Sequence, residues 1–253
     1  MPDVLGEQIA VLCEEKVPVV STTFGLLPSP VKDRLHDTGV PIIGTATCLE
    51  EAQAIAEAGY TAVVAQGFEA GGHRGSFTSV AGNPPLVGLM ALLPQIADAV
   101  SLPVIAAGGI MDGRGIVAAL ALGASAVQMG TAFLTTTESG ADDVWVQALL
   151  NDPHVSTVLT KSFTGKLARA VRNAFTETMS PCDNEAASYP LQMHITEAIR
   201  SEAKRQGRGD YLPLWAGQGV RLARRTEAAA LIRSLRDEVD DCVGQFTAAN
   251  TPM

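Results

Sequence analysis

Residues 102–134, LPVIAAGGIMDGRGIVAALALGASAVQMGTAFL, decide the fold of this chain. Two apolar runs, at residues 102–107 and 125–129, predict strands, and residues 112–122 between them predict a helix that ends at Gly123. The runs are almost continuously apolar rather than alternating, which is typical of strands covered on both faces in a parallel sheet. The stretch therefore predicts one strand, helix, strand unit of an α/β protein.

The same alternation extends toward the N-terminus. Apolar, β-branched runs predict strands at residues 17–23, 40–44 and 60–66, and helical patterns are found at residues 29–36, 47–58 and 86–100. We expect Thr47 and Glu50 to form a capping box at the start of the second of these helices, and Gly59 to end it. The chain thus supplies five convincing strands of a parallel sheet.

After Leu134 the pattern becomes mainly helical, and it contains no strong strand. The best predicted helices lie at residues 145–150, 189–206 and 226–239, whereas residues 161–179 and 215–219 are expected to be ordered loops. We therefore predict three regions: a partial barrel over 1–135, a mainly helical region over 136–225, and a C-terminal helix and tail over 226–253. The last helix is expected to return to the barrel.

Composition excludes several classes of function. The chain has 253 residues, 47% of them hydrophobic, and a formal net charge of -9 with a pI near 4.9, so a basic face for nucleic acid is not expected. The four cysteines are too scattered for a zinc site, and no metal is expected. Because we find neither a leader sequence nor an apolar run long enough to span a membrane, we expect a cytoplasmic protein.

The segment AQGFEAGGHRG, residues 65–75, directly follows the third strand. Its glycines allow the backbone to approach a planar ligand closely, and His73 follows a strand end, where α/β folds place their active sites. From chemistry alone, His73 is either a catalytic group or a hydrogen-bonded structural residue of a turn. Glu69 and Arg74 are expected to be ordinary surface charges.

Glycines also follow the fourth and fifth strands. In a (β/α)₈ barrel, the loops after the last two strands commonly bind a phosphate through backbone N–H groups, and Gly108, Gly109, Gly130 and Thr131 suit that task. The alternative is that Gly-Gly simply ends a tight turn. The sequence contains neither a Walker loop nor a G-x-G-x-x-G fingerprint, which disfavours nucleotide hydrolysis and a Rossmann NAD site.

Three ordered motifs, QGFEAGGHRG from Gln66, PVIAAGGIMDGRG from Pro103 and GASAVQMGTAFL from Gly123, resemble the nitronate monooxygenase family, formerly called 2-nitropropane dioxygenases. The C-terminal pieces SFTGKLARAVRN and LWAGQG extend the resemblance over nearly the whole chain. It implies a TIM (β/α)₈-type barrel, non-covalent FMN bound by the barrel region 1–135, and a substrate-side position for region 136–225. The implied reaction is oxidation of alkyl nitronates by O2 to a carbonyl compound and nitrite.

The resemblance also implies roles for residues. His73 becomes the catalytic base or a polar anchor for the nitro group, and the sequence leaves both open. Gln66 and Gly71 would lie near the flavin ring, and a second group near its phosphate end: Gly108, Gly109, Gln128, Gly130 and Thr131. Gly72 and Met129 are also expected to bind the cofactor. The nitronate itself is not specified by these residues.

Members of this family begin with about three further βα units, since a closed barrel has eight strands and only five are found here. We expect an incomplete barrel with open edges at residues 17–23 and 125–129, which predicts aggregation, a homo-oligomer or a partner that supplies strands. The explanations are a truncated reading frame, which we favour, a second polypeptide, or a degenerate member without flavin.

Two other functions are considered. The FMN-dependent enoyl-acyl-carrier-protein reductases share the EAGGH and AAGGI motifs with this chain, although His-Arg-Gly and LWAGQG resemble the nitronate enzymes more. A flavin-less, non-catalytic binding protein is the second alternative, and the count of five strands is its main support.

Overall fold

The computed structural model describes residues 4–78 and 84–249. Residues 1–3 and 79–83 of the predicted barrel region, and residues 250–253 of the predicted tail, lie outside this description. The division into three regions stays a prediction.

A parallel sheet forms the centre of the described chain. Its five strands are β1 Val20–Thr22, β2 Ile42–Ala46, β3 Ala62–Gln66, β5 Val104–Ala107 and β6 Ala126–Gln128; β4, Gly72–His73, belongs to a second sheet. The five lie in the order β1-β2-β3-β5-β6. Gly44 pairs with Val63, Val64 with Ile105, and Ala106 with Val127. The five predicted strands are confirmed; four are shorter than predicted, and β2 has the predicted length but begins two residues later. The sheet is open at β1 and β6.

Helices cover the sheet and share its core with the strands. Leu92, Leu93 and Ile96 of one helix pack with Ile42 and Val63 of the strands, all of them fully buried or nearly so. The helices of this half are α1 Val4–Glu14, α2 Ser29–Asp37, α3 Leu49–Glu57, α4 Leu89–Ala99, α5 Gly113–Ala121 and the short α6 Thr131–Leu134. The predicted α/β class and incomplete barrel are therefore confirmed.

The cap of α3 differs from the predicted one. The N-cap is Cys48 rather than Thr47, so Glu51 stands at the third helical position, from which it accepts hydrogen bonds from both N and Oγ1 of Thr47 (2.6 and 2.7 Å). The predicted Thr47 and Glu50 capping box is wrong because the helix begins one residue later. Gly59, in contrast, has φ +78° just after the helix, as a C-cap glycine requires.

The C-terminal region is mainly helical, as predicted, but it contains a hairpin that the sequence analysis missed. Strand β7, Thr157–Thr160, pairs antiparallel with β8, Ala168–Val171, which in turn pairs with the two-residue β4, Gly72–His73. The predicted loop at residues 161–179 is therefore wrong, since it also includes α8, Ala174–Met179. The strand was missed because it contains the charged residue Arg169, which is buried and donates hydrogen bonds to the carbonyl of Phe68.

The remaining helices are α7 Asp143–Leu150, α9 Leu191–Ile195, α10 Glu197–Arg205 and α11 Ala228–Ala249, with short 3₁₀ turns between some of them. The predicted helix over 189–206 is interrupted at Thr196, whose hydroxyl donates to the carbonyl of Phe163 (2.8 Å). Helix α11 packs Leu231 and Leu235 against Met111 and Ala132, so the C-terminal helix lies on the α5 side of the sheet.

Candidate active site

A cavity of about 270 Å³ lies at the carboxyl ends of the parallel strands. It reaches from Thr23, after β1, to Gln128 at the end of β6, and so spans the sheet from one open edge to the other. All nine residues proposed for the cofactor line it: Gln66, Gly71, Gly72, Gly108, Gly109, Gln128, Met129, Gly130 and Thr131. The fold thus brings together residues that lie up to 65 positions apart, from Gln66 to Thr131.

The described cavity wall is uncharged. Of the described residues that line it, none carries a formal charge, and much of the surface is glycine backbone, threonine and glutamine. The lining side chains that the sequence analysis did not propose for the cofactor include Thr23, Thr45, Trp145 and Trp215. Thr23 follows β1, Thr45 lies in β2, Trp145 lies in α7 and Trp215 lies in a loop. None of them gives a local signal of a shared cavity, because only the fold brings them together.

The loop after β3 is held by the C-terminal segment WAGQG. A Cβ on Gly71 would lie 2.6 Å from the carbonyl carbon of Ala216 and from the backbone nitrogen of Gly217. Gly217 N donates to Oγ1 of Thr131 (2.9 Å), and Gln218 N donates to the carbonyl of Glu69 (2.9 Å). Gly71 therefore serves close packing between two backbones, which side chains at this position would prevent.

Gln66 organises the turn that presents the histidine. Its Nε2 donates to the carbonyl of His73 (3.1 Å), and its Oε1 accepts from Gly75 N (2.8 Å). A side chain at the end of β3 thus fixes the backbone on both sides of Arg74, while the same side chain lines the cavity.

His73 lies beside the cavity rather than on its wall. Its ring centroid is 5.2 Å from that of Trp215, which does line the cavity, and Phe24 and Tyr189 lie at 6.0 and 5.8 Å. Nε2 of His73 is 2.9 Å from Oγ1 of Thr164. Burial, and then the positive charge of Lys166, lower the pKa of His73, so the imidazole is neutral at neutral pH.

Lys166 is the cation whose charge lowers the pKa of His73. Its Nζ donates to the carbonyl of Ser76 (3.0 Å) and lies 4.7 Å from the ring centroid of Phe24. Burial lowers the pKa of Lys166, although the carboxylate of Glu51 opposes this shift. A half-buried ammonium group next to a neutral imidazole favours an anion in the same space.

Arg74 and Glu69 are not surface charges, so that expectation is wrong. Arg74 is 4% exposed and donates to the carbonyls of Gln66, Thr47 and Pro85; burial lowers its pKa to about 10, which leaves it charged. The half-buried carboxylate of Glu69 accepts from Leu89 N, the first residue of α4 (2.9 Å). Both charges are satisfied by backbone groups, which a sequence pattern does not reveal.

Glu51 is a structural residue that the sequence analysis missed. Its fully buried carboxylate also accepts hydrogen bonds from the backbone nitrogens of Phe77 and Thr78 (2.7 and 2.8 Å) and from the hydroxyl of Thr78. It therefore ties the segment after His73 to the start of α3. Since Lys166 bonds to Ser76 in that segment, Glu51 indirectly supports the surroundings of His73.

The described residues lack two kinds of feature. Residues 4–78 and 84–249 contain no group of three or more His, Cys, Asp or Glu side chains placed to hold a metal ion. Within the same ranges, no helix combines the length and apolar character that crossing a bilayer requires.

Residues 4–238 match the family model described as nitronate monooxygenase. The chain is 44% identical over 240 residues to a "Probable nitronate monooxygenase" of Staphylococcus saprophyticus subsp. saprophyticus, with 94% of this chain and 68% of the relative covered. It is 45% identical over 232 residues to a protein of the same description from Staphylococcus aureus strain Newman, covering 92% and 65%. The chain therefore spans about two thirds of the length of these curated relatives.

Two solved structures superpose on most of the chain. A nitroalkane oxidase from Streptomyces ansochromogenes superposes with a TM-score of 0.90 at 42% identity, over 95% of this chain and 69% of that one. FabK from Thermotoga maritima superposes with a TM-score of 0.80 at 30% identity, over 96% and 75%.

Proposed function

The chain belongs to the nitronate monooxygenase family, and we propose that it binds FMN in the cavity at the strand ends and oxidises alkyl nitronates with O2. The products would be a carbonyl compound and nitrite. The observation that carries the proposal is that nine residues chosen for the cofactor line one cavity, beside which His73 lies with a neutral imidazole.

The residues fit FMN in shape and in donor chemistry. Gly108 and Gly109 have φ of +128° and +70°, and a Cβ on Gly130 would meet nothing within 4 Å, so glycine backbone forms part of this end of the cavity. Because no cationic side chain lines the described cavity, a phosphate there would be held by backbone N–H groups and by Thr131, as in barrel phosphate sites. An uncharged ring system suits the neutral wall near Gln66 and Val64.

The bound flavin would supply the electron acceptor for the substrate and the electron donor for O2. The protein would contribute position and electrostatics. A nitronate already has carbanion character and needs no base, and the charge of Lys166 would favour that anion in the same region. For a neutral nitroalkane, the neutral imidazole of His73 would be the base that removes the α-proton.

The test is nitrite release by the FMN-loaded chain, with an alkyl nitronate to check the proposed activity and with the neutral nitroalkane to compare the parent chain with His73→Asn. We expect nitrite from the parent chain with both substrates and at least a 100-fold lower rate from the variant with the nitroalkane, since general acid–base groups contribute about 10²- to 10⁴-fold. Equal rates in the two proteins would remove His73 from the mechanism. His154→Asn, which changes an exposed histidine in a surface turn, is the matched control.

The second candidate is the flavin-dependent enoyl-acyl-carrier-protein reductase reaction, which the shared EAGGH and AAGGI motifs support. NADH oxidation in the presence of a crotonyl thioester discriminates between the two functions. NADH turnover without nitrite release would favour the reductase. The cytoplasmic location and a second copy or partner covering the edges of β1 and β6 remain predictions.

A further inference from the structure

We propose that Thr164 is a positioning residue for His73: its hydroxyl accepts a hydrogen bond from Nε2–H, which leaves the lone pair of the imidazole on Nδ1. The observation is the 2.9 Å contact between Nε2 of His73 and Oγ1 of Thr164. The consequence for catalysis rests on the proposed function, whereas the tautomer itself does not.

The direction of the hydrogen bond follows from the single hydrogen of the hydroxyl. Oγ1 of Thr164 is 3.2 Å from the carbonyl oxygen of Lys166, to which it can donate, and 3.4 Å from Lys166 N, from which it can accept. If the hydroxyl donates to the carbonyl, Nε2–H can donate to Oγ1 and all three contacts are satisfied. If it donates to Nε2 instead, the contact with the carbonyl is lost. The first arrangement therefore makes one more hydrogen bond.

Thr164 is held firmly enough to impose this choice. It is 5% exposed and lies in the turn between β7 and β8, in which Asp183 accepts hydrogen bonds from the backbone nitrogens of Lys161 and Ser162 (2.9 and 3.0 Å). Gln192 donates to the carbonyl of Ser162 (2.8 Å). The turn is thus fixed from the helical region, independently of the cavity.

The next residue of the turn, Gly165, brings it against the chain that leads to α9. Gly165 has φ +84°, and a Cβ there would lie 2.1 Å from the carbonyl oxygen of Ala187 and 2.7 Å from Tyr189 N. The same close approach places the ring of Tyr189 5.8 Å from the imidazole. One tight turn therefore positions both a hydrogen-bond partner and a ring neighbour of His73.

The rings around His73 limit where the imidazole lies but do not select a tautomer. Phe24 and Tyr189 meet it edge-on, at interplanar angles of 87° and 71°, and Trp215 is tilted by 50°. Such contacts resist rotation of the ring, yet they are nearly the same whichever nitrogen carries the proton. The hydrogen bond with Thr164 therefore selects the tautomer.

The experiment compares Thr164→Val, which keeps the shape of the side chain without its hydroxyl, with Thr164→Ser, which keeps the hydroxyl. Thr136→Val is the matched control, because Thr136 is equally buried and its hydroxyl bonds to the carbonyl of Phe133. Long-range ¹H–¹⁵N spectra of the four histidines report the tautomer of each ring, and the signals lost in His73→Asn identify His73.

We expect the parent chain, Thr164→Ser and Thr136→Val to show His73 protonated at Nε2 and unprotonated at Nδ1, and Thr164→Val to show a mixture of tautomers. A parent chain protonated at Nδ1, or a Thr164→Val variant with an unchanged spectrum, would overturn the proposal. With FMN bound and a neutral nitroalkane as substrate, kcat/KM for nitrite release should be about tenfold lower in Thr164→Val, as expected for one lost hydrogen bond. Thr164→Ser should keep most of the parent value. If the parent chain makes no nitrite, the proposed function fails, while the spectra still decide the tautomer.

Discussion

The ring centroids of His73 and Trp215 lie 5.2 Å apart, although 142 positions separate the two residues along the chain. His73 ends the short strand β4 after the glycine-rich loop, and Trp215 begins the WAGQG segment that packs against that loop. Because Trp215 also lines the cavity, it connects the imidazole with the space proposed for FMN. The loop after β3 and the C-terminal segment therefore act as one unit of the site.

Both tryptophans of the chain line the cavity, so tryptophan emission should report cofactor binding. We expect added FMN to quench the emission of the parent chain and of both single-tryptophan variants, Trp145→Phe and Trp215→Phe, since each remaining indole would lie against the flavin. A fluorescence titration measures this. Binding of flavin without quenching in either variant would place the cofactor elsewhere.

Gly71→Ala should destabilise the fold, because the added Cβ would lie 2.6 Å from the backbone of Ala216 and Gly217, which cannot move aside as a flexible side chain can. We expect a loss of about 1 to 3 kcal/mol, as for overpacked sites, and weaker FMN binding. Urea unfolding followed by circular dichroism measures the first effect. Gly140→Ala, at a glycine with nothing within 4 Å of an added Cβ, should be neutral; equal stability of the two variants would contradict the close packing.

Glu51→Gln should loosen the segment that follows His73. The amide would turn a donor toward groups that all donate to the carboxylate, namely Thr47, Phe77 and Thr78. We expect about 3 kcal/mol of destabilisation, because buried donors lose their acceptor, and faster hydrogen exchange at the amides of Phe77 and Thr78. Glu57→Gln, at an exposed residue near the end of the same helix, is the control. Unchanged exchange at Phe77 would show that Glu51 does not hold this segment.

Lys166→Met should raise the pKa of His73. The positive charge of Lys166 disfavours the imidazolium, so its removal stabilises the protonated form; burial, the larger cause, remains, and the pKa should stay below the ordinary value of a histidine. As a result, protonation of His73 and the acid limb of nitrite release should both move to higher pH. Titration of the His73 signals by NMR measures the shift, and a pKa that falls or stays constant would refute the electrostatic link.

The sequence predicted the parallel sheet because strands and turns depend on local patterns, whereas the role of the cavity residues in cofactor binding stays a prediction. Continuous apolar runs mark strands covered on both faces, and glycines after β3, β5 and β6 mark the loops at their ends. All of these features lie within a few residues of the strand to which they belong.

The parts that were missed depend on contacts between distant residues. Thr164 meets His73 across 91 positions, and Arg169 meets the carbonyl of Phe68 across 101. Arg74 and Glu51 are buried polar residues whose partners are backbone groups, so neither a motif nor a charge pattern marks them. Strand β8 was missed for the same reason. It has four residues and one of them, Arg169, is charged, so the sequence does not indicate a buried strand unless the hydrogen-bond partner of Arg169 is known.

The most direct test of the account is the visible absorbance spectrum of the purified 253-residue chain, titrated with FMN and separated from free flavin by gel filtration. The account predicts that flavin stays with the protein in a ratio near one to one, and that Gly71→Ala retains less of it than Gly140→Ala does. A chain that is folded by circular dichroism but retains no flavin at any FMN concentration would contradict the assignment of the cavity as a cofactor site.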